Sequence, residues 1–114
     1  MKIPLQVTFR DMSPSDAVES RIREKADKLG RFYDRITGCR VVVEMPQRHK
    51  HQGKLHSICI DLTVPGTELV ANHTQHEDVY VAIRDAFVAI TRQLEDYVRR
   101  QRGDVKAHAQ SEAF

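Results

Sequence analysis

The sequence is poor in cysteine and has no long hydrophobic run, and each shortage excludes a class of protein. Only two of its 114 residues are cysteine, Cys39 and Cys59. Small secreted domains with a disulfide framework usually carry more, and this spacing fits no zinc motif. We therefore interpret both as reduced thiols of a cytoplasmic protein. The apolar runs are only a few residues long, far below the roughly 20 residues that span a bilayer, so no membrane association is expected.

Signals of targeting and of catalysis are equally scarce. The amino terminus alternates polar and apolar residues and lacks the apolar block of a signal peptide. There is no glycine-rich phosphate loop, and no spacing suggests a Ser-His-Asp or Cys-His pairing. We expect a protein that is not an enzyme, with no catalytic residues, no cofactor and no small-molecule substrate.

The composition indicates one ordinary domain. Hydrophobic residues make up 40% of the chain and charged residues 30%, enough for a single core. The periodic part ends near residue 102, so we predict a domain over residues 1–102 and a flexible tail over 103–114. A net charge of +2 is weak evidence for a nucleic-acid partner, so the positions of the cations decide the question.

Hydrophobic periodicity predicts six elements. Alternation of polar and apolar side chains, or β-branched runs, predicts strands over residues 3–10, 41–43, 57–64 and 68–72. A first helix is predicted from a Ser13 cap followed by Pro14 to about Leu29, with Gly30 as a stop or a weak point. A second helix is predicted from about Gln75, with apolar residues at i, i+3, i+4 and i+7.

The resulting order β-α-β-β-β-α predicts an α+β domain. Four strands would form one sheet, two helices would pack on one of its faces, and the other face would meet solvent. The polar residues Ser57, Asp61 and Thr63, which alternate with the apolar residues of the third strand, suit that wet face.

The first helix separates its charges. On a helical wheel for residues 15–33 the acids fall mostly on one side of the apolar stripe, and the cations on the other: Arg21, Lys25, Lys28 and Arg31. A one-sided cationic ridge is typical of a surface that faces phosphates. A solvated face with i, i+4 ion pairs is the alternative.

Basic residues also cluster near the end of the second helix, at Arg99 and Arg100. They are candidate phosphate contacts, although cations in a last turn also stabilise the helix dipole without any further role.

The stretch QRHKHQGKLH, residues 47–56, contains no acid. Arg48, Lys50 and Lys54 could grip phosphates from a hairpin tip, or could keep a solvated tip from pairing with other strands. His49 and His51 could share a metal with His73 or His76, but no carboxylate or thiolate pattern accompanies them, and we predict no metal site.

A family resemblance rests mainly on residues 76–102, HEDVYVAIRDAFVAITRQLEDYVRRQR. The entry His76-Glu77-Asp78-Val79-Tyr80, the pair Ala82-Ile83 and the later Arg92-Gln93-Leu94 are similar to the second helix of the ribosome hibernation-promoting factors. That family is also called ribosome-associated inhibitor or ribosomal subunit interface proteins. The first helix resembles the family pattern at Lys25, Lys28 and Arg31, and the likeness extends over about residues 3–102, as in the short members.

The resemblance implies a fold like a double-stranded RNA-binding domain and a partner, the small ribosomal subunit. It implies contact with 16S rRNA in the mRNA and tRNA channel through basic residues of both helices, and inhibition of translation in stressed bacteria. Short members act with ribosome modulation factor. The predicted RNA-binding residues are Arg21, Lys25, Lys28, Arg31, Arg48, Lys50, Lys54, Arg92, Arg99 and Arg100.

One departure from the family pattern bears on the histidine-rich stretch. Ala89 stands where many relatives carry lysine, and we hypothesise that the cations of residues 47–56 supply replacement contacts. Two other functions remain open: a free-standing binder of double-stranded RNA, and a protein-interaction module that uses the open sheet face together with Val81 and Val88.

Overall fold

The computed structural model describes residues 3–45 and 55–112, with only the backbone described for 73, 74 and 103–112. Its elements confirm the predicted order and the α+β class. They are β1 (Leu5–Arg10), α1 (Asp16–Phe32), β2 (Gly38–Glu44), β3 (His56–Val64), β4 (Thr67–His76) and α2 (Val79–Glu112).

The four strands form one mixed sheet in the order β1-β2-β3-β4. β1 runs parallel to β2, and the other neighbours are antiparallel. The register aligns Val7, Val41 and Ile60 across three strands, and these side chains belong to the core face. Because side chains alternate along a strand, the residues between them lie on the opposite, open face.

β3 and β4 form a hairpin at Pro65-Gly66, as predicted. Gly66 has φ of 85°, a conformation that glycine adopts without the steric cost of a Cβ. α2 lies across this hairpin and is held to it by two side-chain hydrogen bonds. Gln93 Nε2 donates to the Val70 carbonyl at 2.6 Å, and the Tyr97 hydroxyl donates to the Pro65 carbonyl at 2.7 Å.

α1 lies beside α2 and runs in the same direction. The Arg21 guanidinium lies 5.0 Å from the centre of the Tyr80 ring near the two helix starts. Tyr33, just after α1, makes an edge-on contact with Tyr97, with ring centres 5.7 Å apart. Contacts at both ends therefore fix the spacing between the helices.

The predicted boundaries of α1 were wrong by two or three residues at each end. Ser15, not Ser13, caps the helix, and its hydroxyl accepts a hydrogen bond from the Val18 amide at 3.3 Å. Gly30 does not stop the helix, which continues to Phe32 and is closed by the Tyr33 amide on the Leu29 carbonyl at 2.9 Å. Packing of the helix and of Tyr33 overrides the weak helix propensity of one buried glycine.

The predicted start of the second helix at Gln75 was also wrong. β4 continues to His76, which pairs with His56, so this segment is held as strand by its neighbour. α2 begins at Val79, where the Asp78 carboxylate accepts from the Tyr80 amide at 2.8 Å. The helix extends to Glu112 through a segment without proline. The domain over residues 1–102 and the flexible tail over 103–114 stay predictions.

Within the described part of the chain, no helix combines the length and apolar character that crossing a membrane would require.

Candidate nucleic-acid interface

The two helices leave a groove of about 490 Å³ between them. Its lining from α1 consists of Lys25, Lys28, Leu29 and Phe32. Its lining from α2 consists of Arg84, Phe87, Val88, Thr91, Arg92 and Glu95. Buried leucine and phenylalanine form its floor, and four cations stand around it.

Helical spacing puts these residues on facing surfaces. On α1, Lys25, Lys28 and Phe32 follow i, i+3 and i+7, which is one face of a helix. On α2, Arg84 and Arg92 lie two turns apart on one face. The helices run in the same direction, so the two cationic rows border the groove along its length.

Three of these cations have no acidic partner among the side chains that the structure describes. Among the residues whose side chains are described, no ion pair involves Lys25, Lys28 or Arg92. Arg84 contacts the neighbouring Asp85 at 3.3 Å, and Glu95 is the one acid in the lining. Unpaired cations facing one groove create a local positive potential that attracts an anion.

Arg21 is engaged within the protein. Besides lying over the Tyr80 ring, it approaches the Glu24 carboxylate at 3.8 Å. This guanidinium therefore contacts an aromatic ring of α2 and a carboxylate of α1, and it lies outside the groove lining, one helical turn before Lys25.

Three other predicted contacts, Arg31, Arg99 and Arg100, lie outside the groove lining. Arg31 is exposed in the last turn of α1, outside the groove lining. Arg99 faces Asp96 at 3.5 Å, and Arg100 is exposed further along α2. The structure thus brings together Lys25, Lys28 and Arg92 out of the predicted set.

Arg48, Lys50 and Lys54 lie outside the described residues, as do His49 and His51. The hypothesis that they replace a lysine at position 89 stays a prediction. Ala89 itself is partly buried against the core.

Arg84 and Phe32 were not predicted as site residues, and Val88 was considered only as a contact with a protein partner. A signal was present for each: Arg84, Val88 and Arg92 are spaced i, i+4 and i+8, and Phe32 continues the row of Lys25 and Lys28. The neighbouring acids obscured the spacing of Arg84. The helical wheel for residues 15–33 includes Phe32, but one helix alone does not show that this ring stays exposed beside α2.

The two histidines whose side chains are described, His56 and His76, form hydrogen bonds with residues just before α2. His76 Nδ1 accepts from the Asp78 amide at 2.9 Å, and His56 Nδ1 donates to the Glu77 carbonyl at 2.9 Å. Within the described segments, no three side chains of histidine, cysteine, aspartate or glutamate come together as a metal-binding group.

The two thiols lie on opposite faces of the sheet. Burial, and secondarily the Asp61 carboxylate, raises the pKa of the Cys39 thiol to about 12. The pKa of the Cys59 thiol is also raised by desolvation and by Asp61, while Arg10 lowers it. Neither thiol has the depressed pKa of a reactive nucleophile.

Comparisons with known proteins agree on one family. Residues 5–102 match the family described as sigma 54 modulation protein / S30EA ribosomal protein. The chain is 32% identical over 104 residues to a ribosome hibernation promoting factor of Azotobacter vinelandii, covering 87% of this chain and 90% of that protein.

Solved structures show the same fold. A ribosomal subunit interface protein from Coxiella burnetii matches with a TM-score of 0.72 at 16% identity, covering 83% of this chain and 97% of that one. The Thermus thermophilus Protein Y N-terminal domain matches with a TM-score of 0.68 at 20% identity, covering 85% and 99%. The family resemblance inferred from the second helix is confirmed, and this chain belongs to the sigma 54 modulation protein / S30EA ribosomal protein family.

Proposed function

We propose that this protein is a ribosome-associated hibernation factor that inhibits translation without enzymatic activity. The observation that carries the proposal is the groove between the helices, where Lys25, Lys28 and Arg92 face one space without acidic partners among the described side chains. The chain belongs to a family that includes a ribosome hibernation promoting factor, and this supports the ribosome as the partner that such a surface would bind.

The proposed ligand is 16S rRNA of the small subunit, in the channel that mRNA and tRNA would use. Protein cations that neutralise rRNA phosphates release condensed counterions, which supplies affinity without base recognition. Occupying the channel would exclude mRNA and tRNA and keep ribosomes idle in stressed cells. The proposed location is the cytoplasm, where ribosomes act, and ribosome modulation factor is a proposed further partner.

The test is co-sedimentation of the protein with purified 30S subunits and 70S ribosomes at low and moderate salt. With about six phosphate contacts, affinity should fall roughly 10³-fold between about 50 and 200 mM salt. The double reversal K25E/K28E should lower affinity about a hundredfold, because two attractive contacts become repulsive.

The matched control is R10E/R40E. It makes the same change in net charge with two exposed arginines of the open sheet face. The proposal expects it to bind nearly as the unchanged protein does, and thermal melts should show that both variants fold.

Three results would contradict the proposal. Protein that stays at the top of the gradient at both salts does not bind ribosomes. Equal affinity for naked duplex RNA and for subunits would favour a general binder of double-stranded RNA. Binding without salt dependence would favour a protein-interaction module.

A further inference from the structure

Two large apolar side chains stand exposed inside the cationic groove. Phe32 of α1 is 52% exposed and Val88 of α2 is 46% exposed, and both line the groove. Phosphate binding alone does not account for them, since phosphates gain nothing from an aromatic ring. Beneath them lie buried Leu29 and Phe87, so the apolar surface is continuous from floor to rim.

The surrounding charges select the kind of molecule that would cover this apolar surface. Lys28 and Arg92 of the rim attract an anion, and the floor accepts a flat apolar body. One acid, Glu95, also lines the groove and would accept hydrogen bonds from amino groups. A nucleotide combines these properties: a negative phosphate, a flat ring with two π-faces, and, in three of the four RNA bases, an exocyclic amino group.

The size of the groove agrees with this ligand. Its volume of about 490 Å³ lies within the range of small-molecule sites, roughly 300–1,000 Å³. A paired base would not reach Phe32, because the bases of a duplex are stacked inside and only its phosphates and sugars meet the protein.

We propose that the groove holds an unpaired RNA nucleotide, with its base stacked on Phe32 and packed against Val88, and its flanking phosphates on Lys25, Lys28 and Arg92. The nucleotide site rests on the proposed function, because the RNA would be ribosomal. It goes beyond that function in specifying that the bound RNA segment is single-stranded. Aromatic rings that take up unstacked bases are the usual means of binding single-stranded RNA.

The first experiment compares substitutions of Phe32 in binding to 30S subunits. F32L keeps an apolar side chain but removes the ring, and affinity should fall roughly 5- to 150-fold, the range of base–aromatic stacking. F32Y keeps the ring and should bind as the unchanged protein does. A plot of log affinity against log salt concentration should have the same slope for F32L as for the unchanged protein, because stacking releases no counterions. K28A loses a phosphate contact and should make that slope shallower by about 0.7–0.9.

The second experiment uses the absence of tryptophan from the chain. F32W introduces a single indole at the exposed position, and its fluorescence should be quenched when a base stacks on it. The probes are a short single-stranded oligoadenylate, the same strand with abasic sugars, and a blunt RNA duplex, all at low salt. Quenching is expected with oligoadenylate alone, at concentrations where anisotropy shows that the strand is bound.

The outcomes separate this proposal from the proposed function. If the unchanged protein sediments with 30S subunits but F32L binds equally well, ribosome binding stands and stacking is overturned. If the protein ignores ribosomes but oligoadenylate quenches F32W, the nucleotide site stands and the proposed function fails. Binding of oligoadenylate without quenching, or failure of the strand to bind at low salt, overturns the nucleotide site. A fourth result combines loss of 30S affinity in F32L with no quenching of F32W by oligoadenylate or by protein-free 16S rRNA. It would assign the groove to a protein segment and would also overturn the nucleotide site.

Discussion

The groove between the helices and the open face of the sheet use their charges in opposite ways. In the groove, cations from two different elements face one space, and one acid stands among them. On the open sheet face, Arg40 is the register partner of Asp61, and Arg10 is the partner of Glu44. Signs alternate between neighbouring strands there, so that face has little net potential to offer an anion.

The difference shows that a modest net charge says little about a binding surface. This chain carries only +2 overall, and ion pairs such as Glu19 with Arg23 and Asp96 with Arg99 involve cations outside the groove lining. What matters for phosphate binding is which cations are left unpaired and whether they share one space.

The largest expected difference between the two faces of the sheet concerns the thiols. With a pKa of about 12, Cys39 should hold a thiolate fraction about a thousandfold below that of an ordinary thiol at about pH 8. Its rate of alkylation should therefore rise as pH rises towards that pKa, because only the thiolate reacts. Cys59, on the open face and only partly buried, should react first.

The measurement is the rate of alkylation by iodoacetamide, followed by mass spectrometry, in the single-thiol variants C59A and C39A. C59A, which keeps only the covered thiol, should react very slowly until denaturant unfolds the protein. Similar rates in the two folded variants would show that the covered face is open to solvent.

A smaller difference is expected between two arginines of α2. Arg92 lines the groove without an ion-pair partner among the described side chains, and Arg99 faces Asp96 outside it. R92A should weaken 30S binding about 3- to 10-fold and make the salt slope shallower by about 0.7–0.9, because one phosphate contact is lost.

R99A and R40A are the matched controls for that comparison, and each should change affinity by less than about twofold. A loss in R99A as large as in R92A would mean that the contact surface follows the end of α2 instead of the groove.

A still smaller effect is expected where α2 is attached to the sheet. Y97F removes the hydroxyl that donates to the Pro65 carbonyl at 2.7 Å and should lower the free energy of unfolding by about 0.5–1.5 kcal/mol. Urea unfolding measures this, with Y80F as control, since no hydrogen bond of the Tyr80 hydroxyl is seen in the described part of the chain. A loss in Y80F as large as in Y97F would show that the contact with Pro65 contributes no more than an exposed hydroxyl does.

The smallest effect is expected at the start of the groove. Y80L removes the ring beneath Arg21 and should lower the free energy of unfolding by about 0.5–1 kcal/mol, as at other exposed cation–π pairs. It also frees Arg21 for phosphate, so 30S affinity should not fall. Thermal melts and sedimentation of the same sample test both statements, and weaker binding would mean that Tyr80 itself contacts the ribosome.

Much of the fold was predictable because its signals are local. Apolar residues at Ile58, Ile60 and Leu62 alternate with polar ones, a pattern that predicts a half-buried strand without knowledge of its neighbours. Pro65-Gly66 predicts a turn in the same local way. The helix limits at Gly30 and Gln75 were wrong because each depended on packing or pairing with another element. At the start of α1 two nearby serines could serve as the cap, and Ser15 is the one that accepts the Val18 amide.

The candidate site was predictable only in part, for a similar reason. Helical spacing on α1 placed Lys25 and Lys28 on one flank, and that flank does border the groove. The spacing could not show that Arg21 would lie over Tyr80, or that Arg99 would turn towards Asp96. A helical wheel describes one helix, whereas pairing depends on the neighbour.

The sequence by itself determined the order of elements, the two faces of the sheet and the family, because periodicity and the residues of the second helix are properties of the chain. Only the tertiary structure decided which cations stay unpaired and that they meet around Phe32 and Val88. The distance and direction between α1 and α2 are set by packing on the sheet, and the groove exists only between them.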